Sequence, residues 1–372
     1  MNAGVIKAFM LKEFKELLRS GLIIMVYLMP SMILILFGYG MRMEVSGVRT
    51  LIIDNDKSEL SRRLASKFSH SKYFDTEVGN LTEKEALREI KRAKKDTVLI
   101  IPPSFQKRIL KGEKVQIGVF IDGSFPIRAM TIQSYIEGTL LSAAEEFSKG
   151  YEIKGKIVKI NQRALFNQAM RDENAIIPGV IGIVLLVAPA IISALLIVRE
   201  KERGSIFNFY SSPIKKTDFL IAKLTPPFLL HSLNIFILFL WASYLFKVPF
   251  RGSFLLYWFS SEIYILISLS IGLLVSVVTE RQIVAVVLVI ILTIIPGFLY
   301  SGMLMPISSM KGESYIQAHL FPVMYYNHIL YDVFLIGEGT ASFKTSLYLA
   351  ILVLYAAVFL SAGVFLLKKE LK

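Results

Sequence analysis

From Ile176 to Val198 the chain is apolar at every position but Ser193, and Arg199-Glu200-Lys201-Glu202-Arg203-Gly204 follows without a break. At 1.5 Å per residue, a helix over that run crosses the hydrocarbon core of a bilayer, about 30 Å thick. A helix apolar on every face belongs in lipid or deep inside a protein, and five charges at its exit mark the boundary with water. Similar runs recur, and residues 21–41, 176–198, 218–245, 254–278, 283–300 and 346–367 read as six spans. Hydrophobic residues make up 54% of the chain and the mean hydropathy is +0.57, with the apolar residues gathered in blocks instead of alternating. That patterning specifies a polytopic α-helical membrane protein with six transmembrane helices.

The formal charge is +13. In a soluble chain that excess points towards nucleic acid, but here it divides by compartment. Lys7, Lys12, Lys15 and Arg19 precede the first span, Arg199, Lys201, Arg203, Lys215 and Lys216 follow the second, and Lys368, Lys369 and Lys372 follow the sixth. Basic residues of short loops stay in the cytoplasm, so both termini are expected there, with residues 42–174 outside a cell (cytoplasmic) membrane that the chain crosses several times. Residues 42–174 mix charges of both signs, as a solvated domain surface does, and no nucleic-acid partner is expected. With no cysteine, disulfides, Fe–S clusters and thiol catalysis are excluded. Residues 1–20 read as an amphipathic entry helix lying along the cytoplasmic interface, with Phe9, Phe14 and Leu17 on one side and Lys12, Lys15 and Arg19 largely on the other. The apolar run behind it has span length and no small-residue processing site, so a cleaved leader is not expected.

Residues 42–174 read as an external α/β domain inserted between the first and second spans. Strands are expected at 49–54, 96–101 and 114–121, and helices at 58–69, 82–94, 102–110 and 127–147. Thr82 and Glu85 have the spacing of a capping box. No G-x-G-x-x-G follows the first strand, whose end Asp54-Asn55-Asp56-Lys57 reads as a turn.

The membrane domain, 175–372, carries polar exceptions. Glu262 lies inside the fourth span, where a carboxylate needs a partner or water, and His231 in the third follows Pro226-Pro227, which should kink or break that helix. Residues 301–340 are too polar to span and read as an external re-entrant segment containing Asn327, His328 and Asp332. His328 and Asp332, four apart on one helical face, read as a local pair. Glu262, His231, Asn327 and His328 are the candidate pathway residues, with a helix–helix hydrogen bond the preferred role for His231. No metal-ligand spacing occurs among the four histidines.

Taken together, these residues resemble the membrane subunits of ABC transporters of the type-2 exporter class, in the branch with a large external domain between the first two spans. The resemblance runs through Leu11-Lys12-Glu13-Phe14-Lys15-Glu16 before the first span, Ile53-Asp54-Asn55-Asp56 and Val98 to Phe105, Asp122-Gly123-Ser124, the Arg199 to Pro213 stretch and Ser301 to Pro306. Two places depart from that pattern: Ser205-Ile206-Phe207-Asn208 replaces a usual Thr-Leu/Ile-Glu-x, and Asn327-His328 stands where Gly or Arg is often seen.

The resemblance implies a permease that pairs with a second permease chain, identical or homologous, and with two ABC ATPase subunits. Residues 199–216 would form the cytoplasmic coupling segment, with Glu200, Lys201, Glu202, Arg203, Gly204, Phe207, Phe209, Tyr210 and Pro213 at the ATPase. Lys12, Glu13, Glu16 and Arg19 of the entry helix would make a second contact. No G-x-x-x-x-G-K-[ST] occurs, so the chain is expected to bind no cofactor and to be no enzyme itself, with ATP and Mg on the partner subunit. The implied cargo is an amphipathic compound such as a drug or lipid. The resemblance also admits sodium or other ion extrusion, with Glu262 as its residue. A ligand-sensing receptor fits less well, since it needs fewer spans and a cytoplasmic output domain. An intramembrane hydrolase would need paired Asp, Ser-Lys or His-Glu-x-x-His in the spans.

Overall fold

The computed structural model describes residues 3–41, 45–92, 94–123, 126–150, 171–212, 214–305, 307 and 310–367. The chain forms two compact units, Met1–Met41 with Ala164–Lys372, and Arg42–Arg163. Among the described residues six helices are long and apolar enough to cross a membrane.

The entry helix α1 (Ala3–Arg19) turns at Ser20, whose hydroxyl donates to the Leu17 carbonyl at 2.9 Å, and leads into α2 (Leu22–Gly40). Only one stripe of α2 is buried, Val26, Pro30, Leu34 and Gly38, at the four-residue spacing of a single helix face. Ile24, Leu28, Met32 and Leu36 lie exposed on the opposite side, as suits a helix with lipid or another chain against it.

The second unit is an α/β sheet in the order β2-β1-β3-β4. Strand β1 (Val48–Asp54) is followed by α3 (Glu59–Ser69), β2 (Phe74–Gly79), α4 (Glu83–Lys91), β3 (Thr97–Ile101), α5 (Phe105–Leu110), β4 (Gly118–Ile121) and α6 (Pro126–Gly150). β1 runs parallel to both neighbours, and β4 is antiparallel to β3. Alternation along β1 feeds two cores. Ile52 packs with Leu60, Leu64 and Phe105 on one side, while Leu51 and Ile53 pack with Ala86 on the other.

Helix α4 opens with the Thr82–Glu85 capping box, and the Asp54 carboxylate accepts from the backbone N–H groups of Asp56 and Lys57, closing the expected turn. Two readings need correction. β2 does not stand out in the sequence, because Phe-Asp-Thr-Glu-Val-Gly is a polar edge strand with Phe74 its one buried residue. The last strand begins at Gly118 instead of Lys114.

Asp96, just before β3, accepts from the Arg49 backbone N–H at 3.0 Å and from its guanidinium at 2.8 and 3.1 Å, and pairs with Arg128 at 3.2 Å. Burial pushes its carboxyl up. The Arg49 hydrogen bonds and the two positive charges outweigh that and hold it below the usual aspartate value.

The rest of the membrane unit is arranged around α7 (Asp172–Glu202), whose apolar window is buried throughout. Next come α8 (Ile206–Tyr210), α9 (Lys216–Leu240, ending in a π turn at Trp241–Leu245), α10 (Phe254–Val278), α11 (Gln282–Tyr300), α12 (Glu313–His319), α13 (Pro322–Tyr331, continued by a π turn to Ile336) and α14 (Phe343–Leu366). Helix α9 runs through Pro226 and Pro227 as one continuous helix, so of the expected kink or break the break does not occur.

Helix α7 is crossed closely by α10. Ser193 donates to the Leu269 carbonyl at 2.8 Å and Ser268 to the Leu186 carbonyl, and a Cβ on Gly272 would stand 2.1 Å from the Ala190 carbonyl oxygen. Small residues let backbones meet where lipid offers no hydrophobic drive for helix association. Helix α13, at about 15 Å too short to cross, packs on α7, α10 and α14.

Gly272→Ala drives a methyl group into backbone that no side-chain rotation relieves. It is expected to cost about 1–3 kcal/mol and to lower the midpoint of thermal unfolding in detergent. Gly297→Ala, where the added carbon meets Ile183 at 3.4 Å, serves as the control expected to leave that midpoint near wild type.

Candidate functional site

Where α7 leaves its apolar run, the cluster that follows is largely turned inward. Lys201 donates to the carbonyls of Ser276, Val277 and Thr279, the last of them at 3.2 Å, so a cation closes the C-terminal end of α10. Glu200 points the other way and accepts from Lys223 of α9 at 2.5 Å. The same ammonium donates to Glu13 of α1 at 2.8 Å, and the Phe9 ring lies 5.7 Å away. Side-chain exposure is 2% for Lys223, 1% for Glu13 and 17% for Glu200. Three charges from three helices thus meet, Lys223 and Glu13 buried and Glu200 partly so. Removing Lys223 costs about 3–5 kcal/mol, because both carboxylates lose their shared cation.

Helix α8 divides by face. Ile206 and Phe209 are buried, and the Phe209 ring stacks on Phe219 of α9 with centroids 3.9 Å apart. Phe207 and Asn208 point outward, as do Glu202 and Arg203 just before them, and Tyr210 is half-buried beside Phe207. Gly204 has φ +71°, the left-handed turn that ends α7 and starts α8. Pro213 lies outside the described residues.

On α1, Lys12, Glu16 and Arg19 remain exposed, and Glu16 reaches Arg199 at 4.0 Å. A cavity of about 400 Å³ opens between these elements, lined by Lys12, Glu16, Arg203, Asn208 and Ser212 with Lys223 at its wall. The expected coupling residues therefore separate into an inner set, Glu13, Glu200, Lys201 and Phe209, and an outer set, Lys12, Glu16, Arg19, Glu202, Arg203 and Phe207. Lys223 was not anticipated. Its signal is a lysine inside an apolar run with no acid three or four residues away, and therefore with no local partner.

The model of the ABC-2 family transporter protein matches residues 19–365. The chain belongs to this family. It is 29% identical over 341 residues to the probable multidrug ABC transporter permease YbhS of Escherichia coli, covering 90% of this chain and 89% of that one. Similarity extends to the probable multidrug ABC transporter permease YbhR, at 23% with 87% and 88% covered, and to the inner membrane transport permease YhhJ, at 24% with 70% and 69% covered, both from the same organism.

In this ABC-2 permease the four polar residues expected along a pathway contact different neighbours. Glu262 accepts from Ser232 of the adjacent α9. His231, fully buried, has neither ring nitrogen hydrogen-bonded among the described residues, so the expected helix–helix bond is absent. Asn327 donates to the Ser301 carbonyl at 3.2 Å and lies so close to α7 that a Cβ on Gly182 would fall 1.7 Å from its oxygen.

His328 packs edge-on against Tyr348 at 4.9 Å. Its expected pairing with Asp332 gives way to other bonds: the Asp332 carboxylate accepts from Thr345 at 2.9 Å and from the Glu338 N–H at 3.0 Å. The backbone between the two is regular, the Asp332 N–H reaching the His328 carbonyl, so it is these other bonds to the Asp332 oxygens that displace the pairing.

The two faces of α8 predict opposite behaviour. Phe209→Ala, at the stacked and buried position, should destabilise the detergent-solubilised permease by about 3 kcal/mol, and Phe207→Ala by less than about 0.5 kcal/mol. Equal unfolding midpoints for the two variants would contradict this division.

Proposed function

We propose that the chain is the transmembrane subunit of an ATP-driven exporter, working as a dimer of permease chains with two cytoplasmic ATPase subunits that act on α8 and α1. The observation that carries this reading is the outer set at the junction. Glu202, Arg203 and Phe207 stand exposed on a short turn-and-helix whose inner face is fixed to α7 and α9 by Phe209. An exposed aromatic flanked by charges of both signs, beside a cavity, has the composition of a docking site.

A partner's movement biases the spans only through a contact that differs between states, and a surface bound to the central helix offers such a contact. ATP and Mg belong to the partner in this reading. The cargo is an amphipathic compound such as a drug or lipid, in keeping with the multidrug names of the two E. coli relatives. In this reading the α/β unit, Arg42–Arg163, is external and both termini with α8 are cytoplasmic, in keeping with the basic residues around the spans.

Reversing the two charges in Glu202→Lys/Arg203→Glu is expected to leave permease abundance in the membrane unchanged and to lower the ATPase subunits that co-purify with it by about tenfold. Unaltered co-purification together with unaltered export would reject the α8 contact. Because the chain has no cysteine, topology is read with single thiols. A membrane-impermeant maleimide should label Ser66→Cys in intact cells and Ser205→Cys only after permeabilisation, and the reverse pattern would overturn the orientation.

A further inference from the structure

Lys223 lies next to the weakest point of α9. Pro226 and Pro227 have no N–H to give, so the carbonyls of Ala222 and of Lys223 itself lose their regular intrahelical bonds. A helix missing two successive bonds bends there more readily than elsewhere. At that place the Lys223 ammonium is held by one carboxylate from α1, Glu13 at 2.8 Å, and one from the end of α7, Glu200 at 2.5 Å.

We propose that Lys223 is a positioning residue that gears α1 and the α7–α8 turn to α9, so that a displacement imposed on either is delivered to the proline-weakened segment and swings the part of α9 beyond it. The inference rests on the reading of α8 and α1 as the ATPase contacts.

The geometry favours the ion cluster over the neighbouring packing as the transmitting link. The rings of Phe209 and Phe9 also pack on Phe219 of α9, at 3.9 and 6.0 Å between centroids, but apolar packing is less directional than a hydrogen bond. Two charge-assisted hydrogen bonds from one nearly buried ammonium fix distance and direction together. Glu13 and Glu200 belong to different helices, so Lys223 is where the two inputs meet. The cluster has no contact with the polar residues Glu262 or Asn327 among the bonds described, which sets it apart from a cargo pathway.

The test uses the permease assembled with its ATPase subunits in lipid nanodiscs, with a fluorophore on Leu233→Cys, an exposed α9 position beyond the prolines. In this background, trapping the ATPases with ATP and vanadate is expected to shift the fluorophore's emission. Lys223→Met alone strands two buried carboxylates and risks misfolding, so the decisive variant neutralises all three partners together, Glu13→Gln/Lys223→Met/Glu200→Gln. It is expected to insert, to bind the ATPase subunits and to hydrolyse ATP, while the trapping-induced shift falls by about tenfold. Lys223→Arg, which can still bridge both carboxylates, is expected to keep the shift.

A full shift in the triple variant would overturn the gearing role, since ATP-driven motion would then reach α9 without the cluster. Absence of any shift in the Leu233→Cys background, with the other positions native, would instead remove the reading on which the inference rests, and the inference with it.

Discussion

The membrane unit depends on a single constraint: α7 has no face turned away from protein. Its apolar window is buried throughout, whereas α2 and α14 bury about a fifth of theirs. In lipid, apolar side chains gain little by leaving hydrocarbon for protein, so what gathers helices around α7 is close packing and hydrogen bonding. Both are visible. Gly272 and Gly182 admit the Ala190 carbonyl and the Asn327 side chain to distances that any Cβ would forbid, and Ser193 and Ser268 bond across the α7–α10 crossing in both directions. Helix α7 is thereby locked to its neighbours along its length.

That lock gives meaning to the charges at its end. A rigid rod buried in the middle of a bundle is reached from outside only where it emerges, and at Arg199 to Arg203 it emerges into three separate connections. Lys201 closes the end of α10, Glu200 joins Lys223 and through it α1, and Phe209 follows on α8 to stack against α9. Glutamates among lysines and arginines make poor sense as positive-inside anchoring, which needs only cations. Glu200 makes good sense once Lys223 is there to meet it, and Glu202 lies exposed, accepting from Gln282.

Composition and periodicity carry most of this fold because spans and amphipathic helices are local, one-dimensional patterns. The six apolar runs, the Thr82–Glu85 cap and the Asp54 turn are each written within a few residues of themselves. What escapes is whatever depends on a distant neighbour. β2 is legible only as the edge of a sheet whose other strands lie elsewhere in the sequence, and Lys223 acquires its role from carboxylates on α1 and α7. The His328–Asp332 pair fails for the same reason: the two are regularly spaced on one helical turn, but Asp332 bonds Thr345 on α14. Of the kink or break expected at Pro226-Pro227, the break is absent for a similar reason: both prolines are buried, and packing holds α9 continuous through missing hydrogen bonds that would disrupt an isolated helix.

Helix α8 shows how a five-residue helix can differ between its two faces. It is too short to be stable alone, since helix nucleation is costly and few bonds follow it, so its inner residues must be fixed by the permease. Ile206 and Phe209 do this, and Ile206 is the position of Ser205-Ile206-Phe207-Asn208 that agrees with the pattern of similar transporters. Phe207, which departs from that pattern, is half exposed, and Asn208 beside it also faces outward. The inner face is constrained by a core that cannot change shape without cost, and the outer face is free to match whatever surface meets it. Differences from related chains at the outer positions therefore leave the anchoring of α8 intact while altering the side chains offered to a partner.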